Sequence, residues 1–239
     1  MDFNYIVIEG NIGAGKTTLS KMVAERYDAR LILEQFADNP FLPKFYNDQE
    51  RFAFPLEMSF LAERYNQLNK ELSSLDLFQN KTISDYYFMK SLIFAQQTLS
   101  EDEYKLYRQI FHIVYSNLPK PDLFIYLHNS VPNLIKNIAK RGRDYEEKIK
   151  PEYLQTIEKG YFEFFKQNQN IKTLIIDCSN IDFVKNSDDF EKIIEQINKM
   201  QVSGTNRMIL PTNWYKQFDI LRLFIMFVSN IKFKNQHIK

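Results

Sequence analysis

The 239 residues include 31 basic and 30 acidic side chains, so the chain has a formal net charge of +1 and no global field that would attract nucleic acid or a membrane surface. Their hydrophobic share of 44% is enough to bury the core of one large α/β domain. A single cysteine, Cys178, excludes an internal disulfide, and the chain enters its first strand without a secretory signal, so we expect a cytoplasmic protein.

The first predicted elements are a buried strand at residues 5–9 and an amphipathic helix that begins at Thr17. Between them the sequence fits G-x-x-x-x-G-K-[ST], the pattern of a phosphate-binding loop, and a plain glycine-rich turn is the less favoured alternative. Glycine N–H groups can surround phosphate oxygens, Lys16 can reach the β- and γ-phosphates, and the Thr17 hydroxyl can ligate Mg²⁺. We therefore predict a triphosphate site at Gly10, Asn11, Ile12, Gly13, Ala14, Gly15, Lys16, Thr17 and Thr18.

The next two predicted strands, residues 30–35 and 81–85, each carry a carboxylate near the end. Because the phosphate loop and the carboxyl ends of parallel strands share one edge of a sheet, Glu34 is expected to face the same crevice as Lys16. A solvated strand-end glutamate is the alternative for this residue. Asp85 is the predicted acid that holds Mg²⁺ directly or through water.

A long helix is predicted over residues 51–73, where Glu57 and Arg64 are seven positions apart and share a face. The two charges flank apolar residues and suit a flat polar ligand held between them. A solvated surface face, with its charges paired to neighbours, is at least as favoured by the periodicity alone.

A fourth strand at residues 121–129 and a fifth at 172–177 alternate with helices at 133–141, 151–167 and 190–200. Arg141 and Arg143 flank a glycine in a segment suited to a loop that closes on a phosphoryl group, although a basic helix end is also common for dipole reasons. The predicted fold is α/β, with a five-stranded parallel sheet wrapped by helices, the phosphate loop after the first strand and a lid loop.

Residues 201–239 are predicted to form a separate C-terminal helical extension of a P-loop domain at residues 1–200. The extension is apolar from Trp214 onward, but Asp219 and Arg222 interrupt it, so we expect no membrane span. Burial against a second subunit is the preferred interpretation, which makes the protein a homo-oligomer. Docking on its own core and an interfacial membrane helix are the alternatives.

Four segments resemble the deoxyribonucleoside kinase family, and the resemblance spans roughly residues 5–200. They are GNIGAGKTT at residues 10–18, Glu34 followed by NPFLPKFY at 39–46, RGRDYEEKIKPEYL at 141–154, and IDF at 181–183. After the phosphate loop, the lid segment is the most specific of them. The resemblance implies a P-loop kinase fold and a deoxynucleoside kinase domain at residues 1–200.

The resemblance implies roles for individual residues. Glu34 corresponds to the carboxylate that accepts from the nucleoside 5′-hydroxyl, and the lid arginines Arg141 and Arg143 to those that contact the transferring phosphate. Tyr46 and Glu146 correspond to the pair that holds the sugar 3′-hydroxyl. Glu57 and Arg64 correspond to the residues that read the edge of the base, and Phe94 to the aromatic residue packed on its face. Asp182 and Phe183 correspond to the loop that contacts the adenine of ATP.

Two positions depart from the family pattern. An arginine usually follows the acid at the end of the third strand, but Tyr86 follows Asp85 here, so Lys90 or a lid arginine is expected to supply that charge. The family also commonly has glutamine at position 57. A carboxylate such as Glu57 only accepts hydrogen bonds and so favours N–H donors on the ligand.

The expected function is phosphorylation of a purine deoxynucleoside at its 5′-hydroxyl, with ATP as donor and Mg²⁺ as cofactor, and with no nucleic-acid partner. The resemblance favours deoxyadenosine over deoxyguanosine. The alternatives are a nucleoside monophosphate kinase of the thymidylate kinase type and an ATP-binding scaffold that acts through its tail. A regulatory GTPase is not expected, because the sequence has neither a D-x-x-G nor an N-K-x-D motif.

Overall fold

A computed structural model describes residues 3–35, 38–73, 81–116, 118–200 and 207–210. In these ranges one parallel sheet contains strands β1 (Tyr5–Gly10), β2 (Arg30–Ile32), β3 (Thr82–Ser84), β4 (Leu123–His128), β5 (Thr173–Asp177) and β6 (Arg207–Leu210). The strand order is β2-β3-β1-β4-β5-β6, with every neighbouring pair parallel. The central strand β1 therefore lies between β3 and β4.

The described helices are α1 (Lys16–Tyr27), α2 (Leu42–Asn47), α3 (Gln49–Ser73), α4 (Met89–Thr98), α5 (Glu101–Tyr115), α6 (Val131–Arg141), α7 (Pro151–Gln167) and α8 (Ser187–Lys199). A short 3₁₀ helix, Asp144–Lys148, follows α6. No helix in the described part of the chain is both long enough and apolar enough to cross a membrane.

Both faces of the sheet are covered, which explains why its central strands are continuous hydrophobic runs. Side chains alternate between the two faces, so Ile6 and Ile8 pack with α1, α6 and α8, while Val7 packs with α3, α4, α5 and α7. The second face is rich in aromatic rings, and Phe88 and Phe111 stack there with ring centroids 4.9 Å apart.

The prediction of a parallel sheet wrapped by helices is confirmed, and all five predicted strands are present. A sixth strand, β6, adds to the β5 edge and comes from the predicted extension. The sequence interpretation missed it because four residues beside a Ser-Gly-Thr-Asn linker carry too little periodicity. The helix expected after Trp214 and its role in self-association lie outside the described residues and stay predictions.

Candidate active site

A cleft opens at the carboxyl ends of β1, β2 and β3, where the P-loop, Glu34 and Asp85 follow the three strands. The sequence-predicted side chains that line it together are Ile12, Lys16, Thr17, Glu34, Tyr46, Glu57, Arg64, Asp85, Phe94, Arg141, Arg143 and Glu146. Residues from five helices, from the loops after β1, β2 and β3, and from the lid segment thus meet in one place, which is the geometry expected of a ligand site in an open α/β sheet.

The P-loop needs glycine at Gly13 and Gly15, where φ is +79° and +94°. A Cβ atom on Gly13 would also lie 2.7 Å from the carbonyl oxygen of Leu134, so α6 approaches the loop too closely for a side chain. The Asn11 side chain donates to the carbonyl of Leu154 over 2.7 Å and anchors the loop to α7. Of the other predicted loop residues, Ala14 is buried in the core and Thr18 is exposed.

Lys16 begins α1 and donates to the backbone carbonyls of Gly10, at 3.0 Å, and Asn11, at 2.9 Å. Burial and the nearby charge of Lys90 lower the pKa of Lys16 to about 8. Both carbonyls are weak competitors for an ammonium group compared with a charged phosphate, so this lysine is available to a triphosphate.

Thr17 and Asp85, the predicted metal ligands, are in direct contact. The Thr17 hydroxyl donates to Oδ2 of Asp85 over 2.5 Å, and the backbone N–H of Glu34 donates to Oδ1 over 2.7 Å. Among the described residues no group of three or more His, Cys, Asp or Glu side chains forms a metal cage. One hydroxyl and one carboxylate beside a phosphate loop fit Mg²⁺, which usually binds through one or two carboxylates, substrate phosphates and water.

Glu34 is held by two cations. Its Oε1 accepts from Nε of Arg64 at 2.9 Å, and its Oε2 accepts from Nζ of Lys90 at 2.6 Å. Burial alone would raise the pKa of Glu34, but the charges of Lys90 and Arg64 outweigh it and hold that pKa well below its ordinary value. The carboxylate is therefore ionised and oriented. Lys90, one of the cations expected to replace the family arginine, is the one that contacts it, and its role toward the substrate stays a prediction.

Two helix faces meet across the cleft beside Glu34. On α3, Glu57 and Arg64 flank Phe60, and the Arg64 guanidinium lies 4.6 Å from the centre of that ring. On α4, Lys90 and Phe94 are one turn apart, with the Lys90 ammonium 5.6 Å from the centre of the Phe94 ring. The face of α3 is therefore part of the cleft, and the solvated alternative is excluded because Glu57 and Arg64 are each 2% exposed.

Glu57 has one engaged and one open oxygen. Its Oε1 accepts from the Thr98 hydroxyl at 3.1 Å, whereas its buried Oε2 has no hydrogen-bond partner. Burial raises the pKa of Glu57 to about 7, against the lowering effect of Arg64 and of the Thr98 hydrogen bond. A buried carboxylate oxygen without a donor is costly, so we expect a ligand N–H group to bind at this atom.

The lid arginines are paired with a carboxylate. Arg141 donates to both oxygens of Glu146, at 3.0 and 2.5 Å, and Arg143 donates to one of them at 3.2 Å. Glu146 is 4% exposed. Tyr46, its predicted partner at the sugar, stacks on Tyr145 with ring centroids 6.2 Å apart. Both arginines line the cleft, so a phosphoryl group that enters it can compete with Glu146 for them.

Asp182 and Phe183, the predicted contacts to adenine, are not among the residues that line the cleft. Phe183 is buried, and its ring would lie 3.3 Å from a Cβ atom placed on Gly15. Asp182 is exposed, and the hydrogen bond that it accepts from the backbone N–H of Lys185, together with the charge of the Lys185 side chain, lowers the pKa of Asp182. The segment thus packs against the P-loop, and its contact with adenine stays a prediction.

Glu9 and Thr98 are two of the supporting residues near the site that were not singled out from the sequence. Glu9 is fully buried and accepts from the backbone N–H of Tyr87 and from the hydroxyl of Tyr161, both at 2.9 Å, which ties β1 to the segment between Asp85 and α4. Thr98 is the other. The spacing of Lys90, Phe94 and Thr98 by four residues was the available signal, because it places all three on one face of α4.

Comparison with known proteins identifies the family of the chain. The family model described as deoxynucleoside kinase matches residues 6–202. The chain is 40% identical over 205 residues to deoxyguanosine kinase from Bacillus subtilis (83% of this chain, 98% of the relative) and 30% identical over 196 residues to deoxyadenosine/deoxycytidine kinase from the same organism (80% and 90%).

A solved structure of deoxyadenosine kinase from M. mycoides with bound dCTP has a TM-score of 0.70 and 29% identity, covering 81% of this chain and 98% of that one. The P-loop, the strand-end carboxylates and the lid are all contained in the part of the chain that the family model matches. The chain belongs to the deoxynucleoside kinase family.

Proposed function

We propose that the protein transfers the γ-phosphoryl group of ATP to the 5′-hydroxyl of a purine deoxynucleoside, with deoxyguanosine preferred and deoxyadenosine second. This order reverses the one expected from the sequence. The observation that carries the proposal is the pairing of Glu34 with Arg64 and Lys90 in the cleft that Lys16 also lines. A carboxylate poised for an acceptor hydroxyl thus shares one cleft with the lysine of a phosphate loop.

On the acceptor side, Glu34 accepts a hydrogen bond from the 5′-hydroxyl and orients its oxygen toward the phosphorus. The new oxygen–phosphorus bond forms as the bond between the γ-phosphorus and the leaving ADP breaks. Lys90 and Arg64 hold the pKa of Glu34 low, so Glu34 orients the 5′-hydroxyl but does not keep its proton. The proton leaves with the product phosphate.

On the donor side, Lys16 binds the β- and γ-phosphates, and Arg141 and Arg143 turn from Glu146 to the equatorial oxygens of the transferring group. Thr17 and Asp85 would hold Mg²⁺, which when bound neutralises phosphate charge. Preorganised cations of this kind supply most of the catalysis in phosphoryl transfer, since the reacting centre itself requires little covalent help.

The choice of base is argued from the open oxygen of Glu57. Guanine presents N1–H and N2–H₂ side by side, and this pair of donors matches one ionised carboxylate. Adenine presents only N6–H₂ beside a ring nitrogen that accepts, so it matches a carboxylate less well. The 40% identity with a deoxyguanosine kinase supports the same order.

The test is ADP formation by the purified chain with ATP and Mg²⁺ against the four deoxynucleosides and dTMP. We expect turnover with both purine deoxynucleosides, faster with deoxyguanosine, and none with dTMP. Preferred turnover of dTMP would instead indicate a thymidylate kinase type, and ATP binding without turnover of any acceptor would indicate a scaffold. Glu34→Gln should lower kcat by about 10²–10⁴-fold with folding intact, and full turnover by this variant would remove Glu34 from the mechanism.

A further inference from the structure

Thr98 contacts the base-reading carboxylate without lining the cleft itself. Its side chain is within hydrogen-bond distance of two acceptors, Oε1 of Glu57 at 3.1 Å and the backbone carbonyl of Phe94 at 3.0 Å. A hydroxyl has one proton and can also accept. It can therefore serve both forms of the carboxyl group, as donor to an ionised Glu57, or as acceptor from a protonated Glu57 while it donates to Phe94.

We propose that Thr98 is a positioning residue for base selection: its hydroxyl stabilises the ionised form of Glu57 and thereby favours guanine over adenine. The inference rests on the proposed function. An ionised Glu57 accepts from N1–H and N2–H₂ of guanine, and a protonated Glu57 donates to N1 of adenine while it accepts from N6–H₂. The two bases thus require opposite protonation states of the same buried group.

The surroundings of Glu57 make this proton labile near neutrality. Burial raises the pKa of Glu57 to about 7, while Arg64 on its own helix, the Thr98 hydrogen bond and Lys90 on α4 act in the lowering direction. Three tyrosines from other helices also face Glu57, namely Tyr46 on α2, Tyr107 on α5 and Tyr153 on α7. Burial raises the pKa of each, so all three stay neutral between pH 6 and pH 8. Of the three groups that lower the pKa of Glu57, the Thr98 hydroxyl can be removed by one isosteric substitution.

The expected pH dependence follows from the ratio of the two forms. If guanine requires the ionised and adenine the protonated group, the ratio of kcat/KM for deoxyguanosine to that for deoxyadenosine rises with the ratio of ionised to protonated Glu57. That ratio increases about tenfold per pH unit. Between pH 6 and pH 8 the parent enzyme should accordingly move strongly toward deoxyguanosine.

The decisive variant is Thr98→Val, which keeps the shape and removes the hydroxyl. Losing a donor to the charged form should raise the pKa of Glu57 and shift the selectivity curve up by about one pH unit, so that the preference for deoxyguanosine at pH 7 falls about tenfold. Thr98→Ser should restore the parent curve. Thr156→Val is the matched control, because Thr156 donates to the carbonyl of Glu152 one turn earlier on α7 and reaches no buried carboxylate.

A second readout follows the carboxyl group itself. Carbon-13 NMR titration of the free enzyme, with the Glu57 signal assigned from Glu57→Gln, should give a higher pKa in Thr98→Val than in the parent. Superimposable titrations and selectivity curves for these two proteins, or a flat curve in the parent, would overturn the inference while leaving kinase activity in place. If neither purine deoxynucleoside is phosphorylated, the proposed function fails and this inference fails with it.

Discussion

Replacing Lys90 with methionine should lower kcat by about 10²–10³-fold. The Lys90 ammonium lies 2.6 Å from Oε2 of Glu34, and its side chain is 8% exposed, so it is a desolvated cation next to the expected acceptor hydroxyl. Removing one preorganised donor from a charge-stabilising site costs roughly 2.7–4 kcal/mol of transition-state stabilisation, which corresponds to a fall in kcat of about 10²–10³-fold. Methionine retains most of the side-chain volume, so packing against Phe94 is largely preserved.

Lys90→Met should lower the free energy of unfolding by less than the breaking of a buried ion pair normally does. Glu34 keeps Arg64 as a partner at 2.9 Å, and its own side chain is 22% exposed, so no buried charge is left alone. The loss is that of one hydrogen bond to a charged group, about 1.5 kcal/mol at the low end of the usual range. Urea unfolding of the variant should therefore still show a folded, cooperative protein.

The assay is steady-state ADP release with saturating deoxyguanosine and varied ATP. Lys90→Arg, which keeps the charge, should retain more activity than Lys90→Met. Lys105→Met is the surface control, because Lys105 is 60% exposed and pairs only with acidic neighbours on α5. A folded Lys90→Met protein with kcat within threefold of the parent would refute the role of Lys90, and Arg64 would then suffice to orient Glu34.

Three further predictions concern pH and backbone. Since burial lowers the pKa of Lys16 to about 8, affinity for ATP should fall as pH rises through 8, and constant affinity from pH 7 to 9.5 would contradict this. The hydrogen bond that His128 donates to the Glu158 carboxylate raises the pKa of His128, so the stabilisation from this contact is present below pH 6.5 and is lost as pH rises through the raised value. Glu158→Gln should therefore cost about 1 kcal/mol at pH 6 and little at pH 9 in urea unfolding. Gly142→Ala should lower the free energy of unfolding by about 1–2 kcal/mol, because φ is +67° but the added Cβ would have no neighbouring atom within 4 Å. Gly13→Ala should cost more, because its Cβ would lie 2.7 Å from the carbonyl oxygen of Leu134. Equal losses of stability in the two variants would refute the steric argument.

The sequence was most informative where chemistry follows directly from local order. The glycine spacing and Lys16 predicted the phosphate loop, and the carboxylates after two strands predicted Glu34 and Asp85, because chain direction in a parallel sheet places these ends together. The strands themselves were recognised from their hydrophobic runs, since both faces of the sheet are covered.

Contacts between distant segments were beyond the reach of periodicity. Lys90 is 56 residues from Glu34 along the chain, and Arg64 is 30 residues from it. Nothing in the local pattern states that both would reach one carboxylate, or that Thr98 would bind Glu57 across the gap between two helices. The pairing of the lid arginines with Glu146 was likewise not foreseen, because the resemblance assigned these groups to different parts of the substrate.

The positions of α3 and α4 have a consequence for how this kinase can change. The groups expected to face the base stand on these two helices, while the groups expected to hold the triphosphate belong to the P-loop, the start of α1, the end of α6 and the segment after it. The two sets of groups share no segment of the chain. We therefore expect that exchange of a few side chains on α3 and α4 redirects the enzyme to another nucleoside, while the groups that bind the phosphate donor remain as they are.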